Sequence, residues 1–157
     1  MPASAQLASI RAFVASIGLE VRETRLWRST FLPGLRIADG RLLLDHRKLL
    51  HPGDVLHEAG HLAVTPAAER RHLGGNITAG HPEREGDEMA VLAWSYAASR
   101  ACGLPPETLF HPQGYKGQSA WLINHFATTP QPMGLPLLVW MGLTTNELFP
   151  AMTSWLR

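Results

Sequence analysis

The segment Val55-Leu56-His57-Glu58-Ala59-Gly60-His61-Leu62-Ala63-Val64 is apolar except for two histidines and one glutamate. On an α-helix, residues four apart share a face, so His57 and His61 point at one spot. Glu58 is turned by about 100° from His57 and reaches the edge of that spot, not its centre. Imidazoles and a carboxylate inside an apolar run need partners. With eight histidines in the chain, H-E-x-x-H arises by chance in roughly 2% of such sequences, so its context has to support it. That context is a predicted helix with Asp54, a good N-cap residue, at its start and Pro66 just past its end near Val64 or Thr65. The bland alternative is a helix with two surface histidines and a solvated glutamate.

Two neutral imidazole nitrogens suit Zn2+, at about 2.0–2.1 Å. A zinc ion lowers the pKa of water to roughly 7, and Glu58 is placed to take the proton and pass it to a leaving amine. Gly60 costs roughly 1 kcal/mol of helix propensity, which points to a need for space there. A catalytic zinc site takes three protein ligands and keeps one position open. The metzincin pattern asks for a histidine six residues after the second one, and Ala67 stands there. The next helix offers Glu83, Glu85, Asp87 and Glu88 instead. Acids in a first helical turn suit the helix dipole and need no metal, which accounts best for Glu83 and Glu85. Glu88 lies about two turns in, directly before Met89-Ala90-Val91-Leu92-Ala93-Trp94, and ranks first as the third ligand. Glu85 is its companion or replacement. Glu83 is the third choice, on a small-residue face with Gly86, Asp87 and Ala90. His72 and His81 fall in a connection, where histidines are more often solvated.

The remaining chain reads as α+β. Leu7, Ile10, Phe13, Val14 and Ile17 recur at helical spacing over Ser4 to Ser16, and Gly18 closes that helix. Leu19 to Trp27 carries a modest strand signal. Asp39-Gly40 between Leu35-Arg36-Ile37-Ala38 and Arg41-Leu42-Leu43-Leu44-Asp45 is a strong hairpin signal. About three strands of a small antiparallel sheet are expected. Pro82 with Glu83, Glu85 and Asp87 opens a second helix to about Cys102, closed by Gly103. Leu104 to Gly117 reads as a loop, Ser119 to Ala127 as a helix, and Leu135 to Leu156 as further apolar turns of helix.

Length and composition are those of one domain, residues 1–157. Fourteen basic against thirteen acidic residues, with no Lys/Arg run, make nucleic acid an unexpected main partner. The lone cysteine, Cys102, excludes an intrachain disulfide and reads as a buried small hydrophobe. Arg11 interrupts the N-terminal apolar residues, no stretch reads as a membrane span, and the cytoplasm is the expected compartment.

Asp54 to Leu62, the acid-bearing helix Glu83 to Ala101, and the preceding helix and hairpin together resemble the ImmA/IrrE-type metallopeptidase domain, on the gluzincin side of the H-E-x-x-H enzymes. The resemblance covers roughly residues 4 to 102 and is specific at the motif. It implies a minimal zincin fold with His57, His61 and a glutamate as zinc ligands and Glu58 as general base. It also implies a cytoplasmic enzyme that cleaves regulatory proteins such as repressors. In that family the third-ligand glutamate is followed, three and four residues on, by Ala and by Asn or Asp. Glu83, with Gly86 and Asp87, approximates this pattern and Glu88 does not. From Leu104 onward the chain has no counterpart in the family.

Other residues have plainer readings. Tyr115 or His111, in Phe110 to Gly117, can be imagined assisting an oxyanion, but a surface turn is the simpler account. His125 reads as a satisfied boundary histidine, and Trp94, Trp121, Trp140 and Trp155 as core. The leading function is a zinc peptidase acting on a peptide or protein laid along a sheet edge. The alternatives are a zinc hydrolase of a non-peptide amide and a non-catalytic regulatory or toxin–antitoxin type binding domain. An intact Glu58 speaks against the last of these.

Overall fold

The computed structural model of the protein describes residues 1–74 and 85–157, with backbone alone for Glu85 and Gly86. Its elements are helix α1 (Ala3–Ser16), strands β1 (Val21–Glu23), β2 (Leu35–Ala38) and β3 (Arg41–Leu44), and helices α2 (Gly53–Val64), α3 (Ala67–Arg70), α4 (Glu85–Ala101), α5 (Pro106–Leu109), α6 (Ser119–Thr128) and α7 (Leu135–Trp140). The arrangement is α+β, as expected from the sequence.

The hairpin follows directly from its turn. Asp39 and Gly40 have φ of 50° and 72°, the left-handed pair that a two-residue turn requires. Leu35 pairs with Leu44 and Ile37 with Leu42, and all four side chains are buried. The sheet is not purely antiparallel, which corrects the expectation. Its order is β1-β3-β2, with β1 parallel to the central β3. Hydrophobic alternation marks a strand but carries no direction. The stretch between β1 and β2 is long enough to bring the chain back for a parallel pairing, whereas a tight turn would enforce an antiparallel one. β1 is also shorter than Leu19 to Trp27. Past Thr24 the chain turns, because Asp45 takes the Leu26 N–H on its carboxylate at 3.1 Å and Lys48 donates to the Leu26 carbonyl.

Helix α2 is the centre of the core. Leu56, Ala59, Leu62 and Ala63 are fully buried in it, and each buried leucine stabilises the fold by about 1.5–3 kcal/mol. It begins at Gly53, preceded by Pro52, and Asp54 does not cap it, contrary to expectation. Asp54 is inside the first turn and directs its carboxylate to His111. The start is crowded for a reason: a Cβ at Gly53 would strike the Thr108 carbonyl of α5.

Helix α4 packs on α2 at Gly60. A Cβ built there would lie 3.0 Å from Val91 Cγ1, 3.1 Å from Ser95 Oγ and 3.3 Å from Trp94. Ser95 Oγ donates to the Leu56 carbonyl across the same contact. Gly103, with φ of 66°, closes α4. Two expectations downstream need correction. The 104–117 stretch contains α5 and a 3-10 turn, Tyr115–Gly117. Of Leu135 to Leu156, only α7 is helical, because Gly142 takes φ of 76° and the chain then runs irregularly. That tail is pinned by Trp94 Nε1 donating to the Trp155 carbonyl and by the Arg157 N–H donating to the Ala63 carbonyl.

Trp94 is a core residue, edge-on to Trp155. Trp121 and Trp140 are not. Both are exposed, one stacked on His125 of its own helix and the other under the Arg157 guanidinium. Cys102 is half-buried, and burial pushes its thiol up to about 11 against a hydrogen bond from Ser9. No helix among the described residues is long and apolar enough to cross a membrane.

Two outcomes follow. Gly60→Val overfills the α2–α4 contact and should cost about 1–3 kcal/mol, read as a thermal midpoint lowered by several degrees. An unchanged midpoint would show that the helices are not held at this distance. At pH 8 the Cys102 thiol should stay protonated and react with a thiol reagent far more slowly in the native protein than in urea. Equal rates would contradict its burial.

Candidate metal centre

The two-histidine face of α2 looks onto the first described turns of α4. His57 Nε2 lies 2.9 Å from one oxygen of Glu88, and His61 Nε2 lies 3.2 Å from the other. Single ligand atoms of His57, His61 and Glu88 lie within 4.8 Å of one another, close enough to hold a metal ion. The helical periodicity explains the meeting. Gly60 lets α4 approach, and Val91 and Ser95, which touch it, lie one and two turns beyond Glu88 on the same face.

The donor chemistry fits a metal. Two imidazole nitrogens and a carboxylate, aimed at one point from two helices, are the ligand types of a catalytic zinc site. His61 is buried, His57 nearly so, and the Glu88 side chain is 38% exposed. The site is therefore covered on the protein side and reachable from the other.

The electrostatics describe the metal-free state. Burial works against charge on His57, but the hydrogen bond and charge of Glu88, with Glu58 and Asp54 behind, raise its pKa. His61 is pulled down to about 4 by burial and by the His57 charge, against Glu88. Burial would raise Glu88, yet its hydrogen bond to His57 and the two imidazole charges hold it below the usual carboxylate range. Glu88 thus favours the protonated form of His57, while burial favours neutral His61. Both imidazoles must be neutral to ligate, so metal uptake competes with protons for these nitrogens. Glu58, beside the cluster, is pushed up to about 7, chiefly by burial, with Glu88 and Asp54 adding and His57 opposing.

A second buried pair braces the start of α2. His111 Nε2 and Asp54 Oδ1 are 2.9 Å apart, and His51 stacks on His111 with ring centroids 3.6 Å apart. Sequence reading took the His111 segment for a surface turn. The structure buries His111, and no local spacing could have linked it to Asp54, 57 residues earlier. Tyr115 lies edge-on to His57, with ring centroids at 6.0 Å. Both Tyr115 and Lys116 hold positive φ, 55° and 54°. Such strain in non-glycine residues persists only where the surroundings impose it and clusters at functional sites.

The other candidates separate clearly. Glu83 and His81 lie outside the described residues, as does the side chain of Glu85. His72 is exposed, accepts a hydrogen bond from Arg71, and is not part of the cluster. His125 is satisfied, accepting from the Met133 N–H at Nε2.

The cluster opens into a cleft of about 1070 Å3. It is lined by His57, Glu58, His61 and Glu88, and by Leu35, Arg36 and Ile37 from β2. The 24–32 stretch forms a wall of it, with Lys116 contributed by the Tyr115 turn. Sequence analysis did not single out this wall. Trp27 and Phe31, each 82% exposed, were the available signal, as bulky aromatics in a stretch without helix or strand periodicity. Comparison with protein-family models, with curated proteins and with solved structures finds no match for this chain. The site therefore rests on its own geometry.

Elemental analysis of the protein purified without chelators should find about one metal ion per chain in wild type and Glu58→Gln, and little in His57→Ala or Glu88→Ala. Retention in Glu88→Ala alone would move the third ligand to Glu85 or Glu83.

Proposed function

We propose that the protein is a zinc-dependent metallopeptidase that hydrolyses a peptide bond with water, using Glu58 as general base. The observation that carries this reading is the convergence of His57, His61 and Glu88 in the lining of an open cleft, with Glu58 alongside. Zinc is the ion favoured by two imidazoles and a carboxylate. Bound there, it would supply Lewis acidity toward the scissile carbonyl and the attacking water.

The chain's own residues have distinct tasks. His57, His61 and Glu88 would hold the ion. Glu58, attached to the same turn as His57, accepts a proton from the attacking water and returns it to the departing amine. Tyr115, edge-on to His57, is a candidate hydroxyl donor to the developing oxyanion.

Substrate binding draws on β2. Its inner edge pairs with β3, it forms one edge of the three-stranded sheet, and it borders the cleft. An extended peptide laid there gains main-chain hydrogen bonds irrespective of side chains. The likeness to the ImmA/IrrE-type domain supports the same reading and suggests a cytoplasmic regulatory protein as substrate. A pure binding domain has no use for Glu58.

With a mixed fluorogenic peptide library, Glu58→Gln should lower turnover by about 10²–10⁴-fold while metal content stays at the wild-type level. A chelator should abolish the activity and added zinc restore it. Undiminished hydrolysis by Glu58→Gln, or none by fully zinc-loaded wild type, would contradict the proposal.

A further inference from the structure

Resting on the reading of the cleft as a peptide site, we infer that its substrate is an acidic polypeptide segment that also carries a large apolar side chain. The evidence is the character of the cleft walls. Residues 24–36 contain Arg25, Arg28 and Arg36 and no aspartate or glutamate. All three arginines line the cleft, as does Lys116. All four are exposed, and none forms an ion pair with a described acid. Outside the cleft Arg11, Arg41 and Arg47 pair with Glu23, Glu20 and Asp45. Others, such as Arg22 and Arg100, form no ion pair with a described acid, so what marks the cleft is that four such cations gather there. With a net charge of only +1, the unpaired cations of the cleft are a local concentration and not a consequence of a basic protein.

The same wall offers apolar purchase. Trp27 and Phe31 are the most exposed large hydrophobic side chains among the described residues. The Arg25 guanidinium lies 5.7 Å from the Trp27 ring centroid, so charge and aromatic surface are presented together. Exposed aromatics beside arginines are the residue types that dominate binding energy in protein recognition. Opposite charge on the partner speeds encounter and sets register. Acids on the bound segment would meet Arg28, Arg36 and Lys116, and an aromatic or aliphatic side chain would cover Trp27 or Phe31. A nucleic acid strand fits less well. Glu58 and Glu88 also line the cleft and would repel an unbroken row of phosphates, while a peptide can carry its acids only where they meet the arginines.

Fluorescence anisotropy tests this on the full chain in a Glu58→Gln background, so that bound peptide is not consumed. The probes are a labelled decapeptide with Asp and Glu flanking a central Phe-Leu, its counterpart with lysines for the acids, and a ten-residue oligothymidylate. The acidic peptide should bind about tenfold or more tightly than the lysine peptide at low salt, with the gap closing at high salt. Arg28→Glu and Arg36→Glu should each erase or reverse that preference, and Trp27→Ala should weaken both peptides alike. All three positions are exposed, so circular dichroism should show these variants folded.

Equal affinity for the two peptides, unchanged preference in both charge reversals, or oligothymidylate binding as tightly as the acidic peptide and competing with it would overturn the inference. Failure here is distinguishable from failure of the peptidase reading. A chain that binds zinc and hydrolyses peptides without charge preference loses only this inference. A chain that selects acidic peptides yet neither holds metal nor hydrolyses keeps this inference and loses the peptidase.

Discussion

The contact between Gly60 of α2 and the Val91–Trp94–Ser95 surface of α4 sets how near the two helices come. One or two turns earlier on α4, that spacing brings Glu88 within hydrogen-bond reach of both His57 and His61. Any side chain at position 60 has to displace Val91, Ser95 and the Trp94 ring, which is itself locked against Trp155 and Phe13. The His57–His61–Glu88 cluster is therefore a product of core packing. Its side chains are held by helices whose separation is fixed by a buried, close-packed interior with little room to adjust.

Around this contact the fold arranges a graded environment. Burial alone would neutralise every titratable group on the α2 face. Instead the groups are pushed in different directions: His57 is raised and Glu88 lowered by one another, His61 falls to about 4, and Glu58 is lifted to about 7. A divalent ion in the cluster would compete with protons for the imidazoles and use the same carboxylate. The Asp54–His111 pair adds a second buried brace, tying the start of α2 to the loop that carries Tyr115 and Lys116. A single loop thus supports the helix at one end and lines the cleft at the other.

Much of this was legible because it depends on short-range periodicity. The i, i+4 spacing of His57 and His61, the Asp39-Gly40 turn and the N-terminal helix are local, and all appear where the sequence places them. Glu88 was singled out because an acid entering an apolar helix needs a partner, and that partner lies on α2. What was not legible is relational. Nothing in Val21–Glu23 says that it runs parallel to β3, since direction depends on the path taken between the strands. His111 looked like a surface residue because its partner, Asp54, belongs to a distant segment. Trp121 and Trp140 looked like core because an amphipathic pattern does not reveal that an aromatic ring lies on the exposed face, against only His125 or Arg157. The 24–32 wall escaped notice because irregular backbone has no period to read.

X-ray absorption at the zinc edge, on the wild type and Glu88→Ala, tests the centre most directly. The geometry predicts a wild-type first shell of nitrogen and oxygen at about 2.0–2.2 Å, with imidazole scattering from two histidines and no sulfur. Glu88→Ala should lose a carboxylate oxygen from that shell or lose the zinc altogether. A wild-type spectrum without imidazole scattering, or one unchanged by Glu88→Ala, would contradict a site built from His57, His61 and Glu88.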